Sequence, residues 1–491
     1  MKMFGSISQY FPFLSDESKQ IIVGIVDEAE DIRDYIVRLL EESKNHPATS
    51  EFFFYSFIHA QSYHDTWDAI RVRSEESNLL KPFRFFRRQS FLTRDEVQPF
   101  IDALNLAIAT QPDGWILFQL YVLAVWNLGE PERSRFVKLA RDFVDSNPEY
   151  RCFLTQICGT ELYHLRSQGD IEGALAVCNE GIDIAKENDD IAYLTQHLIA
   201  KGNMIKDFDV HKGLELLDEG YTMLEKETSR RDAVYAAALI MALAYEALGE
   251  YDMALELVFE SEDVSSEYSD TTDPMYALVA ARIYNVLEQP VDALEWLRSC
   301  SDSLEFHTSQ NYALAAHAYS LLGQVDQAES LLNKAHVIAI NSGNEQEIML
   351  YFVVRGMIDF SQGNNSSACD NITQALELAD PQFQITVNNC LSALTKIEIA
   401  ETTRTNNKLD AETSGTWMSR LRKHAYEKNY LGIKMTHALL KSEYQVKIGE
   451  NEAAKQTLSD ALEMTDSATV KTLRKRIDNK LKELEAAPRS S

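Results

Sequence analysis

The sequence predicts an all-α fold, a solenoid of antiparallel helix pairs, and three observations carry that expectation. A pattern of small residue, aromatic, turn glycine, alanine, apolar and small residue recurs at intervals of about forty residues. Glycine and proline are scarce, 19 and 11 among 491 residues, which suits long helices better than a many-stranded sheet. The length exceeds what one ordinary core supports, yet no shift of composition divides the chain into unlike domains. A repeat array meets both conditions, because each repeat contacts only its neighbours.

In chain order, residues 1–92 show helical spacing in Ile22, Ile25, Val26, Ala29, Ile32, Ile36 and Leu39 but no repeat signature. They are read as an N-terminal helical cap or divergent repeats. Thr93 and Glu96 make a capping box that opens the next helix. Repeats then fill residues 93–401. The clearest are Ala242, Tyr245, Gly249, Ala254, Val258 and, further on, Ala316, Tyr319, Gly323, Ala328, Leu332, Ala335. Ala281, Tyr284, Ala293, Leu297 mark another, with Glu288 at its turn, and Gly356, Gly363, Ala368, Ile372, Ala375 the next. Weaker units surround Gly129, Gly169 and Phe208. Small residues at the crossing let two helices approach while an aromatic fills the space beside them. The turn glycine takes the left-handed conformation that ends the first helix. Pro131, Pro274 and Pro290 stand where helices should begin. Residues 402–415, polar and turn-rich, read as a loop. Residues 416–491 hold a last repeat (Gly449, Ala454, Leu458, Ala461) and a basic capping helix striped by Val470, Leu473, Ile477, Leu481 and Leu484.

These motifs resemble the tetratricopeptide repeat over residues 96–470. The turn positions 129, 169, 208, 249, 288, 323 and 363 are separated by 40, 39, 41, 39, 35 and 40 residues, against roughly 34 in the standard repeat. The family's tryptophan is absent and its late proline is missing from most units. The lengthened spacing resembles the helical-repeat region of maltose-activator-like regulators. The resemblance implies a right-handed α-α superhelix whose concave groove is lined from the first helix of each pair. Carrying the groove offsets onto this chain selects Tyr163, Arg166, Leu243, Arg282, Asn285, Gln310, His317, Ser320, Met357 and Phe360 as partner-binding candidates. The Lys/Asn set by which co-chaperones clamp acidic tails is not reproduced, although Arg282 and Asn285 suit an acidic ligand.

Charge narrows the function classes. The net charge is −29. From Trp417 to Ser491 there are 15 Lys+Arg against 10 Asp+Glu, a net of +5, so the rest carries −34. An acidic body repels nucleic acid and anionic membrane. The exception is a basic segment, Lys81, Arg84, Arg87, Arg88 and Arg94, interleaved with Phe83, Phe85, Phe86 and Phe91. Such interleaving can bind single-stranded nucleic acid or lipid headgroups. It can equally pair with the chain's own carboxylates, and the expectation is a structural seam between cap and first repeat.

No phosphate loop, dinucleotide fingerprint or nucleophile elbow is present. The six cysteines are scattered and read as buried thiols. Glu161 with His164 is a single Glu-x-x-His, short of the pairs a di-iron site needs. His59 and His64 have the wrong spacing for one helix face. Cys152 with His164 lacks an orienting acid. No catalytic residues, metal or cofactor are expected. No apolar run reaches the ~20 residues of a membrane helix and no signal peptide opens the chain, so the cytoplasm is the expected location. Two readings stand: a non-enzymatic scaffold or adaptor that binds a protein or peptide in the groove, and a regulatory sensor for a small ligand or signalling peptide.

Overall fold

A computed structural model describes residues 16–28, 80–82, 94–110, 114–226, 231–265, 274–299, 308–379, 384–405, 416–464 and 468–486, with the single positions 38, 78 and 112. Its described residues are mostly helical, with 21 α-helices and no strand. The fold is an all-α helical repeat. Most of the expected cap and most of the basic segment (Arg84, Arg87, Arg88) lie outside the described residues, as does the side chain of Arg94; Lys81 is half-buried.

The helices are α1 (Asp16–Glu28), α2 (Arg94–Ile108), α3 (Gly114–Asn127), α4 (Glu132–Ser146), α5 (Leu154–Ser167), α6 (Ile171–Glu187), α7 (Ile191–Ile205), α8 (Val210–Lys226) and α9 (Arg231–Leu248). They continue as α10 (Tyr251–Ser265), α11 (Pro274–Val286), α12 (Pro290–Ser299), α13 (Ser309–Leu321), α14 (Val325–Ser342), α15 (Glu345–Ser361) and α16 (Asn365–Leu378). The last are α17 (Gln384–Thr405), α18 (Trp417–Glu427), α19 (Leu431–Lys447), α20 (Asn451–Glu463) and α21 (Lys471–Ala486). Thus α2 begins beside the capping box, α11 and α12 begin on the prolines, and Pro131 directly precedes α4. Helix α17 runs to Thr405, four residues into the segment read as a loop. There Thr402 turns its hydroxyl back to the Glu398 carbonyl, one turn earlier.

The expected turn register holds at Gly169, Gly249, Glu288, Gly323, Gly363 and Gly449, all with positive φ. At Gly363 the amide donates to the Phe360 carbonyl and the next amide, Asn364, reaches back to Asp359, closing the helix end. Gly129 and Phe208 do not take this conformation. Ala254, Ala328 and Ala454, placed at helix crossings by the pattern, have no exposed surface.

The chain divides into two compact units. The first comprises residues 1–204 and 216–234. Its centre is α3, apolar on all sides and therefore buried all round. Phe118, Tyr121, Phe136, Phe143, Tyr150 and Phe153 pack there as a continuous set of tilted or edge-to-face rings, 5.3 to 6.4 Å between centroids. On α7, His197 packs where Gly181 leaves room for its ring, and its Nε2 meets the Thr155 hydroxyl at 2.9 Å.

The second unit, residues 205–215 and 235–491, pairs α11 with α12, α13 with α14, α15 with α16 and α19 with α20. Within it the first helices of successive pairs (α11, α13, α15, α17, α19) pack side by side, followed by α21. The sequence predicts α21 as a polar-backed capping helix; in the structure it also packs on α10, near the beginning of the same unit. Thr472 donates to Asp252 through both its amide, 2.8 Å, and its hydroxyl, 2.6 Å. Asn388 donates to the Ala247 carbonyl at 2.6 Å. At the turn after α9, Gly249 lies so close to Gly432 that a Cβ on Gly432 would collide with the Gly249 carbonyl. The unit closes on itself.

Candidate functional site

Closure turns the inner faces of this unit's helices toward one another around a cavity of ≈ 120 Å³. Helix α11 contributes Arg282 and Asn285, one turn apart, and the turn after it contributes Glu288. Helix α13 contributes Leu314 and His317, α15 Val353 and Met357, α17 Asn389, Ser392 and Lys396. Helix α19 adds Thr436, Leu439 and Glu443, and α21 adds Leu473 and Arg476. Spacings of three, four and seven recur because each helix shows the cavity one stripe.

The charges on this wall form two paired groups, with Glu443 apart from both. Arg282 holds Glu246 by two parallel hydrogen bonds, 2.5 and 2.7 Å, with the glutamate almost fully buried. That fork neutralises both partners and fixes α11 against α9. Glu288 meets two cations: Lys396 at 3.0 Å and Arg476 at 3.6 Å. Burial pushes the Glu288 carboxyl up, but Lys396 and Arg476 together bring it below its ordinary range. Its backbone is left-handed, φ 60°, at a position where other repeats place glycine. A glutamate there accepts conformational cost, and its side chain spans α17 and α21.

Two polar atoms on the wall are buried with no hydrogen-bond partner among the described residues, Asn285 Oδ1 and His317 Nε2. The Asn285 amide nitrogen donates to the Leu314 carbonyl at 2.9 Å, which fixes the oxygen as the atom left over. Burial pushes the His317 imidazole down to about 4; Lys396 adds to this and Glu288 opposes it. His317 is therefore neutral near pH 7.

Of the groove candidates, the cavity brings together Arg282, Asn285, His317 and Met357. Gln310 and Phe360 are half-buried and Ser320 is buried, all away from it; Ser320 meets Ser361 at 3.1 Å. Leu243 on α9 is half-buried. Tyr163, half exposed, and Arg166 stand on α5 in the other unit. Glu288 entered the sequence reading only as a turn, and Lys396 and Arg476 not at all. One signal was available: a glutamate in a row of turn glycines. Among the described residues no group of three His, Cys, Asp or Glu side chains could hold a metal ion. The Glu161–His164 pair is used locally: Glu161 binds Arg141 at 2.8 Å and His164 meets Glu130 at 2.6 Å. The Cys152 thiol is pushed up to about 11, chiefly by burial, which leaves it a poor nucleophile near neutral pH.

The family described as the MalT-like TPR region matches residues 137–384, half of the chain, and spans the helices from α4 to the first residue of α17. The chain belongs to this family. The forty-residue repeat and the glycine-turned helix pairs are thus those of a MalT-like TPR region, and the second unit extends it by α17 to α21. Among solved structures, yeast Tom70 is similar at 10% identity over 93% of this chain and 96% of that one, with a TM-score of 0.33. No curated protein matches the sequence. No helix among the described residues is long and apolar enough to cross a membrane.

Proposed function

We propose that this MalT-like TPR protein is a non-enzymatic scaffold or adaptor that binds a protein or peptide on the inner faces of its repeats. TPR-type repeats in general mediate protein interactions. The observation that supports the reading is Tyr163. It leaves half its surface exposed on α5, one turn before Arg166, and aromatic and arginine side chains are the usual anchors of an interface. The test is retention of a partner from the native cell extract by the full chain. Tyr163→Ala with Arg166→Glu should reduce retention at least tenfold with the melting temperature unchanged. Equal loss from Val337→Glu, on the exposed face of α14, would remove the inner face from the account.

The cavity favours a second reading, a regulatory sensor that binds a small ligand within the repeats. Arg282, Asn285 and His317 are too enclosed to anchor a peptide lying on an open surface, but they suit a ligand that enters the unit. Sedimentation and limited proteolysis with and without ligand distinguish the two.

A further inference from the structure

We infer that the cavity of the second unit is a binding site for a small free α-amino acid, an inference that rests on the sensor reading. Size sets the first limit. A cavity of about 150 Å³ accepts a molecule like benzene, so one of ≈ 120 Å³ takes a ligand of about that size or smaller.

Charge sets the second. Lys396 and Arg476 share one carboxylate, Glu288, so one positive charge on the wall is left to an incoming carboxylate. The remaining lining acid, Glu443, is exposed and lies in neither of the ion pairs above. The wall therefore offers an anion site and a cation site within one small space. The two unsatisfied atoms fit the cationic end. Asn285 Oδ1 can only accept, and a neutral His317 can present an accepting nitrogen. An ammonium supplies three donors. The rest of the wall is largely aliphatic and accommodates a small side chain. A zwitterion also avoids the penalty that a chain of −29 imposes on a simple anion approaching from solution.

The test uses the full chain, with L-alanine, L-serine and L-valine as probes in calorimetry and thermal shift. At least one should bind and raise the melting temperature by several degrees at millimolar concentration. The matched amide, which lacks the carboxylate, and the matched carboxylic acid, which lacks the ammonium, should each bind at least tenfold more weakly. Lys396→Gln should lower affinity at least tenfold and Lys396→Arg should retain it. Absence of binding by all three amino acids, or equal binding of the amides or of the Lys396→Gln variant, would overturn the site. The analogue comparison holds even where a variant fails to fold. Amino-acid binding that leaves sedimentation and proteolysis unchanged would support the site while removing the sensor reading.

Discussion

Around α3 the helices are held by rings: Phe118, Phe136 and Phe153 have no exposed surface. In the second unit the same task falls to alanine. Ala281, Ala293, Ala316, Ala328 and Ala335 are fully buried at successive crossings, and glycine meets glycine where the unit closes. Large rings fill gaps and tolerate a wide helix spacing. Small residues bring backbones together, so each pair sits at a tightly fixed angle. The comparison teaches that a return contact over 220 residues, Asp252 to Thr472, depends on crossings that leave little freedom.

The comparison can be broken most forcefully at a ring. Phe118→Ala should cost about 3–5 kcal/mol, and amide exchange should quicken around α3 to α5 while α13 to α16 stay protected. Equal loss of protection in both units would show that they fold as one.

Acid should strike the other unit harder. Burial pushes His317, His424 and His437 of the second unit, and His197 of the first, each down to about 4. The unfolded chain takes up protons below its ordinary 6.5 that the folded chain refuses. Stability is thus complete above pH 6.5 and falls as pH descends toward 4. Each histidine contributes a loss of about 1 kcal/mol by pH 5.5, so the second unit should lose roughly three times as much as the first. Exchange protection at pH 7.5 and 5.5 reports the ratio, and an even loss would assign acid sensitivity elsewhere.

Gly432→Val tests closure itself and should cost about 1–3 kcal/mol by overpacking, with exchange rising at α10 and α21 together. A rise confined to α19 would mean the contact is local. The smallest effect is expected from Asp252→Ala, about 1 kcal/mol from two lost hydrogen bonds. It should be seen as faster exchange of the Thr472 amide, and Asp252→Asn should restore part of it.

Helix pairs, their turn glycines and the buried alanines were legible in the sequence because they arise from spacings of three, four and about forty residues. Closure was not. It joins Gly249 to Gly432 and Asp252 to Thr472, and no local pattern records how small rotations between repeats add up. The basic stripe of α21 read as a solvent-facing end, yet Arg476 faces inward to Glu288. The groove offsets were legible as positions, whereas their enclosure was not, since it follows from the same accumulated rotation. Gly129 and Phe208 misled because glycine or an aromatic in a connection need not mark a left-handed residue.

Closure has a consequence for how such a protein can change over generations. Open arrays lengthen or shorten by whole repeats, since each added repeat needs only a neighbour on either side. Here α21 must arrive opposite α10. A duplication between α11 and α20 would carry Thr472 past Asp252, and a deletion would leave it short. The repeat number of this unit is therefore fixed by geometry, and variation has to proceed residue by residue on the cavity wall.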